Sequence, residues 1–226
     1  MKEENKEEDK EFTFSSFWKT NLPTRNIFLI ILIVYIISTI LSIILNPVQD
    51  LIGLVTISDQ ILATIGQYNL RVFEGHVYQL VTSIFVHTNI IHFLSNSLFL
   101  FLYGLRAEEK FLSWQYYLIF VLSGLFGGIL SLFAFNPFTI SAGASGGIFG
   151  LLGADLVLAY QEEKKKSLWV YIGMGGIFLI LSAGINVNIL AHAIGLISGI
   201  IFPLIFKKRK ISSSEEISVQ LYEEED

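Results

Sequence analysis

Ser145 stands in a glycine-rich run whose residue types and spacing suit nucleophilic catalysis. Residues 141–154 read SAGASGGIFGLLGA, with one glycine two residues before the serine and another directly after it. Glycine lets other groups approach the backbone closely, and a helix that begins at Ser145 presents unpaired N–H groups to a developing oxyanion. A nucleophilic serine also needs a base, which is usually a histidine. The histidines of the chain are His76, His87, His92 and His192.

The elements that must position these residues are six apolar stretches. A helix of about 20 apolar residues crosses the hydrocarbon core of a bilayer. The stretches that reach or approach this length are residues 26–45, 88–105, 111–134, 144–160, 168–184 and 187–206. Only 15% of the residues are charged, against roughly 25% in a soluble domain, so an ordinary soluble monomer is excluded. We expect an all-α polytopic membrane protein, a bundle of six transmembrane helices with a long first outer loop.

The basic residues predict how these stretches are oriented. Fourteen of the 15 Lys and Arg residues fall in segments that six crossings place on one side, and Arg71 alone falls on the other. Loops rich in Lys and Arg face the cytoplasm, so both termini of this multi-pass protein are expected on the cytoplasmic side of the cell membrane. Residues 1–25 and 207–226, which hold 21 of the 35 charged residues, are predicted to be cytoplasmic tails around a membrane-embedded domain at 26–206. The first tail is too charged for a signal peptide and is expected to be disordered.

Residues 46–87 form the long loop, which this topology places on the outer side. Loops of this length are usually functional or carry structure of their own. Ser58 and Asp59 are predicted to cap a short helix that runs through Ile65 and is closed by Gly66. The apolar side chains of the loop favour a position in the membrane interface; a plain exposed loop is the alternative.

Four polar side chains fall at a similar depth, near the outer ends of three stretches. The second stretch carries His92 and Asn96, the fourth begins at Ser145, and the sixth carries His192 about five residues from its start. Polar and ionisable residues inside a bilayer are costly and usually mark function. Their convergence predicts a site in the outer half of the membrane, whereas a transporter would place polar groups along the whole depth and contain internal repeats.

Small residues are spaced so that two of these stretches can pack closely. Gly146 and Gly150 are four residues apart, and Gly195 and Gly199 follow His192 by three and seven residues. Such faces let helices approach each other, which would bring Ser145 toward His192. Packing without any catalytic role is the alternative reading of the glycines.

A catalytic triad would need a carboxylate behind the histidine. The one acidic residue inside the fourth stretch is Asp155, ten residues after Ser145, which corresponds to about 15 Å of helical rise. We therefore expect Asp155 to lie near the cytoplasmic end with its carboxylate snorkelling to solvent, and we predict a Ser–His dyad.

Three motifs carry a resemblance to a known family. They are His87-x4-His92-x3-Asn96, Gly143-Ala144-Ser145-Gly146 and Ala191-His192-x2-Gly195-x3-Gly199, in that order along the chain. Together with six apolar stretches and the long first loop, they resemble the rhomboid intramembrane serine proteases over about residues 24–206. This resemblance implies that Ser145 is the nucleophile and that His192 is the general base, which later protonates the leaving amine.

The resemblance also implies an oxyanion site. His92 and Asn96, one turn apart on a helix face, resemble oxyanion-binding side chains, with the Ser145 backbone N–H as a third donor. Gly143 matches the glycine two residues before the nucleophile. Phe149 matches an aromatic residue that packs against the catalytic imidazole, and simple core packing is its alternative.

Supporting roles follow from the same resemblance. Gly195 and Gly199 match helix-packing glycines, and His87 matches a structural histidine with no catalytic role. Glu108 resembles an acidic residue that braces the long loop from below in some members, and the neighbouring Glu109 is an alternative for this position.

The pair Tyr78-Gln79 departs from the family, in which many members have Trp-Arg. Tyr78 keeps an aromatic side chain in place of the Trp, whereas Gln79 carries no positive charge in place of the Arg. The family pair is linked to loop structure, so the expected consequence concerns the stability and gating of the loop.

The predicted function is intramembrane serine endopeptidase activity, with hydrolysis of a peptide bond in or near a transmembrane segment. The expected partners are transmembrane-protein substrates and the lipid bilayer, without nucleic acid, because basic residues occur only in short runs. The oligomeric state is left open. No cofactor or metal is expected, since the histidines form no ligand pattern such as H-E-x-x-H. The alternative is a non-proteolytic rhomboid-like protein that binds membrane clients, for which a missing Ser or His would be expected.

Overall fold

A computed structural model describes residues 22–46, 50–162, 164–182 and 188–206. Most of the two predicted tails, residues 1–21 and 207–226, lies outside these described residues. The first half of the described chain contains α1 (Leu22–Leu45), α2 (Asp59–Ile65), β1 (Gln67–Tyr68), α3 (Asn69–Phe73) and α4 (Gln79–Thr82). The second half contains α5 (Ile90–Lys110), α6 (Ser113–Ala134), β2 (Ile140–Ser141), α7 (Ser145–Gln161), α8 (Lys165–Ser182) and α9 (Ile189–Ile205). Single 3-10 turns lie at Gly53–Val55 and Ser83–Phe85.

The fold class is all-α, as predicted. Among the described helices, α1, α5 and α6 are long and apolar enough to cross a membrane. Helix α9 and the part of α8 at Lys166–Leu181 are apolar but shorter.

Helices α1 and α5 extend by about a turn beyond the apolar stretches predicted from the sequence, and polar groups in the added turns find partners. Helix α1 begins at Leu22 rather than at residue 26, and the N–H of Thr24 donates to Oε1 of Glu108 at 2.8 Å. Helix α5 continues past residue 105 to Lys110, which forms an ion pair with Glu162 at 3.0 Å. In each case the added turn carries a group that pairs with a carboxylate of another segment.

Helix α7 is enclosed by its neighbours along most of its length. Every residue from 145 to 155 is buried. A Cβ atom added at Gly195 would overlap the backbone of Gly146, and one added at Gly199 would overlap the backbone of Gly150. The predicted contact between two small-residue faces is therefore confirmed, and it brings α9 against the first half of α7.

The predicted short helix in the 46–87 segment is present as α2, with Ser58 at its N-cap position and Gly66 at its C-cap. The predicted side-chain cap is wrong, because Ser58 makes no capping hydrogen bond with its hydroxyl. The first turn is instead closed by the backbone, where the N–H of Leu62 donates to the Ser58 carbonyl at 2.9 Å.

Gln79, the residue that the resemblance sets against an Arg, is fully buried and holds this segment together. Its Oε1 accepts from the N–H of Tyr68 at 3.0 Å. Its Nε2 donates to the carbonyls of Ala63 at 2.9 Å and Thr64 at 3.1 Å. The hydroxyl of Tyr78 also donates to the Thr64 carbonyl, at 3.2 Å. A neutral amide therefore ties the end of α2 to β1 and α4.

A short antiparallel ladder links this segment to the residues before α7. Gln67 pairs with Ser141, and Tyr68 pairs with Ile140. The Gln67 amide also donates to the carbonyl of Gly128 in α6, at 2.9 Å. The ladder and this hydrogen bond together fix the chain that leads into Ser145.

Candidate active site

Ser145 and His192 lie in direct hydrogen-bond contact, although 47 residues separate them. Ser145 is the first residue of α7, and His192 lies in the first turn of α9. The distance from Nε2 of His192 to Oγ of Ser145 is 2.7 Å, and both side chains are buried. In this geometry the imidazole can take the hydroxyl proton when Oγ attacks an electrophile.

Two aromatic rings fix the plane of the His192 imidazole. Phe149, one turn after Ser145, stacks on it with ring centroids 4.7 Å apart and an interplanar angle of 25°. Phe178 of α8 stacks on Phe149 at 4.8 Å and lies 6.4 Å from the His192 ring. The resemblance anticipated the Phe149 contact but not Phe178, which has no signal in the motifs.

Within the described residues, no hydrogen-bond partner faces Nδ1 of His192. Asp155 does not reach it. The expectation that Asp155 snorkels to solvent is wrong, because its side chain is 0% exposed. Its Oδ1 lies 4.0 Å from Nε of Arg106 on α5, and neither oxygen of the carboxyl group has a hydrogen-bond partner among the described residues.

Gly143 lies between His92 and Ser145. Its φ of +136° is one that residues with a Cβ rarely adopt. A Cβ atom there would lie 2.8 Å from Nε2 of His92 and 3.7 Å from Oγ of Ser145. The imidazole of His92 and the hydroxyl of Ser145 therefore approach the same small space, which stays open because residue 143 has no side chain.

Asn96 lies one turn after His92 on α5 and is fully buried. Its Nδ2 donates to the His92 carbonyl at 2.9 Å. An amide nitrogen carries two hydrogens, so this bond leaves the second one for another acceptor. Nδ1 of His92 lies 3.2 Å from the Thr88 hydroxyl, which fixes the orientation of the ring.

His87 is fully buried just before α5, with its ring edge-on to that of His92 at 5.0 Å. Burial, followed by the charge of His92, lowers the pKa of His87 well below its usual value. The structural role that the resemblance implies for this buried imidazole stays a prediction.

Glu108 does not lie beneath the 46–87 segment, so the bracing role expected for it is wrong. It stands in the last turn of α5, at the end opposite to His92, and there it accepts the hydrogen bond from the Thr24 N–H. Its contact connects α5 with the start of α1.

An ion cluster that the sequence did not reveal surrounds Glu162, after the end of α7. Its carboxylate pairs with Arg106 at 3.2 Å, Lys110 at 3.0 Å and Lys164 at 2.9 Å. Hydrogen bonds from Lys164 and Lys110 lower the pKa of Glu162 to about 2. The cluster ties α5 to the α7–α8 connection, far from Ser145.

Asn188, which the motifs also missed, is the N-cap of α9. The signal that could have found it is an asparagine directly before an apolar helix. Its side chain accepts from the N–H of Ala191 at 2.9 Å. It therefore fixes the turn that carries His192.

Comparison with known proteins places these residues in a recognised domain. A family model described as the Rhomboid domain matches residues 74–209, a range that contains all the candidate site residues. The chain is 28% identical over 154 residues to the "Putative rhomboid protease YdcA" of Bacillus subtilis (strain 168), covering 65% of this chain and 76% of the relative. It is 37% identical over 109 residues to the Rhomboid protease GluP of the same organism, covering 48% and 21%.

A plant relative gives a similar match. The chain is 35% identical over 143 residues to RHOMBOID-like protein 1 of Arabidopsis thaliana, covering 61% of this chain and 36% of the relative. The chain thus spans about a third of this relative and about a fifth of GluP.

Proposed function

This chain belongs to the rhomboid family, and from that premise we propose that it is an intramembrane serine endopeptidase. Its substrates are other membrane proteins, and it hydrolyses a peptide bond in or near one of their transmembrane segments. The observation that carries the proposal is the 2.7 Å contact between Oγ of Ser145 and Nε2 of His192 in a buried site.

In the proposed mechanism, Ser145 and His192 act as a dyad. Oγ of Ser145 attacks the scissile carbonyl carbon, and its proton passes to Nε2 of His192. The tetrahedral intermediate then collapses, the C–N bond breaks, and His192 gives the proton to the leaving amine. A water molecule attacks the acyl-enzyme, His192 takes one of its protons, and that proton returns to Ser145 as the acid product leaves.

The oxyanion of the intermediate is stabilised by three donors in this proposal. The N–H of Ser145 is the first, because the first N–H groups of a helix have no intrahelical acceptor. The second donor is the hydrogen on Nδ2 of Asn96 that does not bond to the His92 carbonyl. The third is the Nε2–H group of His92. The position of Gly143 between His92 and Ser145 supports this assignment.

We place the reaction in the outer half of a cell membrane, with six spans and both termini cytoplasmic. The three long apolar helices support a membrane-spanning bundle. The distribution of Lys and Arg supports the orientation. A scissile bond inside a helix is covered by its own backbone hydrogen bonds, so the substrate segment must unwind locally before Ser145 can reach it.

The test is covalent labelling of the full chain, in detergent or liposomes, by a fluorescent fluorophosphonate, together with cleavage of a single-pass membrane substrate. We expect labelling and cleavage in the natural protein, and neither in Ser145→Ala or His192→Ala. Ser97→Ala is the matched control. It also removes a buried hydroxyl, but this hydroxyl donates within its own helix, to the Phe93 carbonyl at 2.8 Å.

If the folded natural protein neither reacts with the fluorophosphonate nor cleaves the substrate, the proposed protease activity is overturned. If it still co-purified with a membrane client, the client-binding alternative would replace it. Full-rate cleavage by Ser145→Ala would contradict the assignment of the nucleophile.

A further inference from the structure

Asn188, four residues before His192, makes more contacts than a helix cap requires. As an N-cap it needs only an acceptor for a backbone N–H, and its Oδ1 provides one to Ala191. Its Nδ2 additionally donates to Oγ of Ser131 at 2.7 Å and lies 3.4 Å from Oγ of Ser141 as a second acceptor. The side chain thereby joins three segments of the chain.

The first of these contacts holds α9 against α6. Ser131 is fully buried in the last turns of α6, and its hydroxyl donates to the Gly127 carbonyl at 2.6 Å, so it accepts the hydrogen bond from Asn188. Gly127 in turn packs on α9, because a Cβ there would lie 2.8 Å from the carbonyl oxygen of Ala191. The residue before His192 is thus in direct contact with α6.

The second contact reaches the segment that carries the nucleophile. Ser141 lies four residues before Ser145 and is held by its backbone pairing with Gln67. Two residues later, the N–H of Gly143 donates to the Ser83 carbonyl at 2.9 Å. This segment is therefore fixed on the side of the 46–87 region, and Asn188 ties the start of α9 to it.

Within the described residues, Nδ1 of His192 has no hydrogen-bond partner, and the Phe149 ring stacks on the imidazole without setting its distance from Ser145. We propose that Asn188 is a positioning residue for His192: its bridge to Ser131 and Ser141 holds the start of α9 against the Ser145 segment and sets the distance between Nε2 and Oγ. This role rests on the proposed function. Small displacements of reacting groups slow a reaction strongly: a shift of about 1 Å can lower the rate about 100-fold.

The variant Asn188→Ser separates the bridge from the cap. Serine keeps an N-cap oxygen, but its shorter side chain cannot reach both Ser131 and Ser141. We expect the rate constant of fluorophosphonate labelling and kcat for a membrane substrate to fall about 10-fold. KM should stay near that of the natural protein, because the bridge acts on the reacting groups and not on substrate binding. The thermal unfolding midpoint should fall only slightly, since the cap oxygen is kept and one bridging side chain is shortened.

Two further variants make the test specific. Ser198→Ala removes a hydroxyl from the same helix that donates to Ile194 at 2.8 Å, and it should label at the natural rate. Ser141→Ala should slow labelling by removing one end of the bridge. Combined with Asn188→Ser, it should add nothing, since both changes remove the same contact.

Three results would each overturn the positioning role of Asn188. They are labelling of Asn188→Ser at the natural rate, a change in this variant that is confined to KM, and additive effects on labelling in the double variant. These results are distinguishable from failure of the proposed function. If the natural protein is not labelled at Ser145, the protease itself fails. If it is labelled and Asn188→Ser labels equally fast, only the role of Asn188 fails.

Discussion

At the scale of single residues, the candidate site depends on what Gly143 lacks. The backbone conformation at this position favours glycine, and the space beside it is taken by the His92 ring and approached by the Ser145 hydroxyl. Either constraint alone would penalise a methyl group. Together they leave glycine as the residue that keeps both groups in place.

Gly143→Ala should therefore reduce fluorophosphonate labelling by about 100-fold or more, because the added Cβ displaces His92 or the segment before Ser145. The labelling rate in detergent measures this effect. Gly173→Ala is the matched control, as a Cβ there meets no atom within 4 Å. Equal labelling rates for both variants would contradict the geometry described for Gly143.

Asn96→Ala tests the oxyanion assignment. Loss of one oxyanion donor costs about 10- to 1000-fold in kcat, and we expect KM for the membrane substrate to change little. Asn26→Ala is a suitable control, because the Asn26 amide also makes a contact between helices, to the Tyr117 hydroxyl at 3.0 Å. An unchanged kcat in Asn96→Ala would remove Asn96 from the site.

The sequence was most informative for residues that belong to short motifs. Ser145, His192, His92 and Gly143 could be brought together from spacing and span orientation. The environment of Asp155 could not, because the cation that lies 4.0 Å from it, Arg106, belongs to another helix and stands 49 positions earlier in the chain. Contacts of this kind leave no local pattern, and the same holds for Phe178 behind the His192 ring.

At the scale of elements, the contact between α7 and α9 has no side chains at its centre. The backbones of Gly146 and Gly150 lie against Gly195 and Gly199. The sequence predicted this contact, since the four-residue spacing of small residues is visible in it. The hydrogen bonds that hold the 46–87 region were not predictable, because the partners of the Gln79 amide are backbone groups 11 to 16 positions earlier in the chain.

Gly199→Val should push α9 away from α7, because its Cβ would overlap the Gly150 carbonyl. Overpacking of this kind costs about 1–3 kcal/mol, so both the thermal midpoint and the labelling rate should fall. Gly176→Val introduces the same side chain where a Cβ meets no atom within 4 Å, and it should leave both unchanged. If Gly199→Val unfolds at the same temperature as the natural protein, the close contact between α7 and α9 is contradicted.

Gln79→Leu should loosen the 46–87 region while keeping a side chain of similar size. Three hydrogen bonds disappear, each worth about 1 kcal/mol, and buried backbone groups lose their partners. Limited proteolysis should cut this region faster than in the natural protein. Gln60→Leu, at an exposed position of α2, is the control, and equal proteolysis of the two variants would speak against the role of Gln79.

At the scale of the whole molecule, the described bundle has a polar site at one end and an ion cluster at the other. Helix α5 connects them, with His92 near its start and Arg106 and Lys110 near its end. The two ends were predictable to different degrees. Motifs indicated the first, whereas the second depends on how Glu162 meets two cations of α5, Arg106 and Lys110, and Lys164 of its own connection.

The ion cluster predicts a pH dependence of stability. The pKa of Glu162 is lowered from 4.5 to about 2 in the folded chain, so its contribution is fully present above about pH 4.5 and is lost as the pH falls toward 2. The thermal midpoint of the natural protein should exceed that of Glu162→Gln at pH 7, and the difference should shrink at pH 3. A difference that does not vary with pH would contradict the charge-based role of Glu162.

The glycine contact between α7 and α9 also bears on how the protein responds to heat. Because backbone meets backbone there, the spacing of the two helices at this contact does not depend on side-chain rotamers that could loosen gradually. Warming should leave this spacing almost constant until the two helices part. Catalysis should therefore end abruptly, at the temperature at which the bundle itself melts, without a preceding range of slow decline.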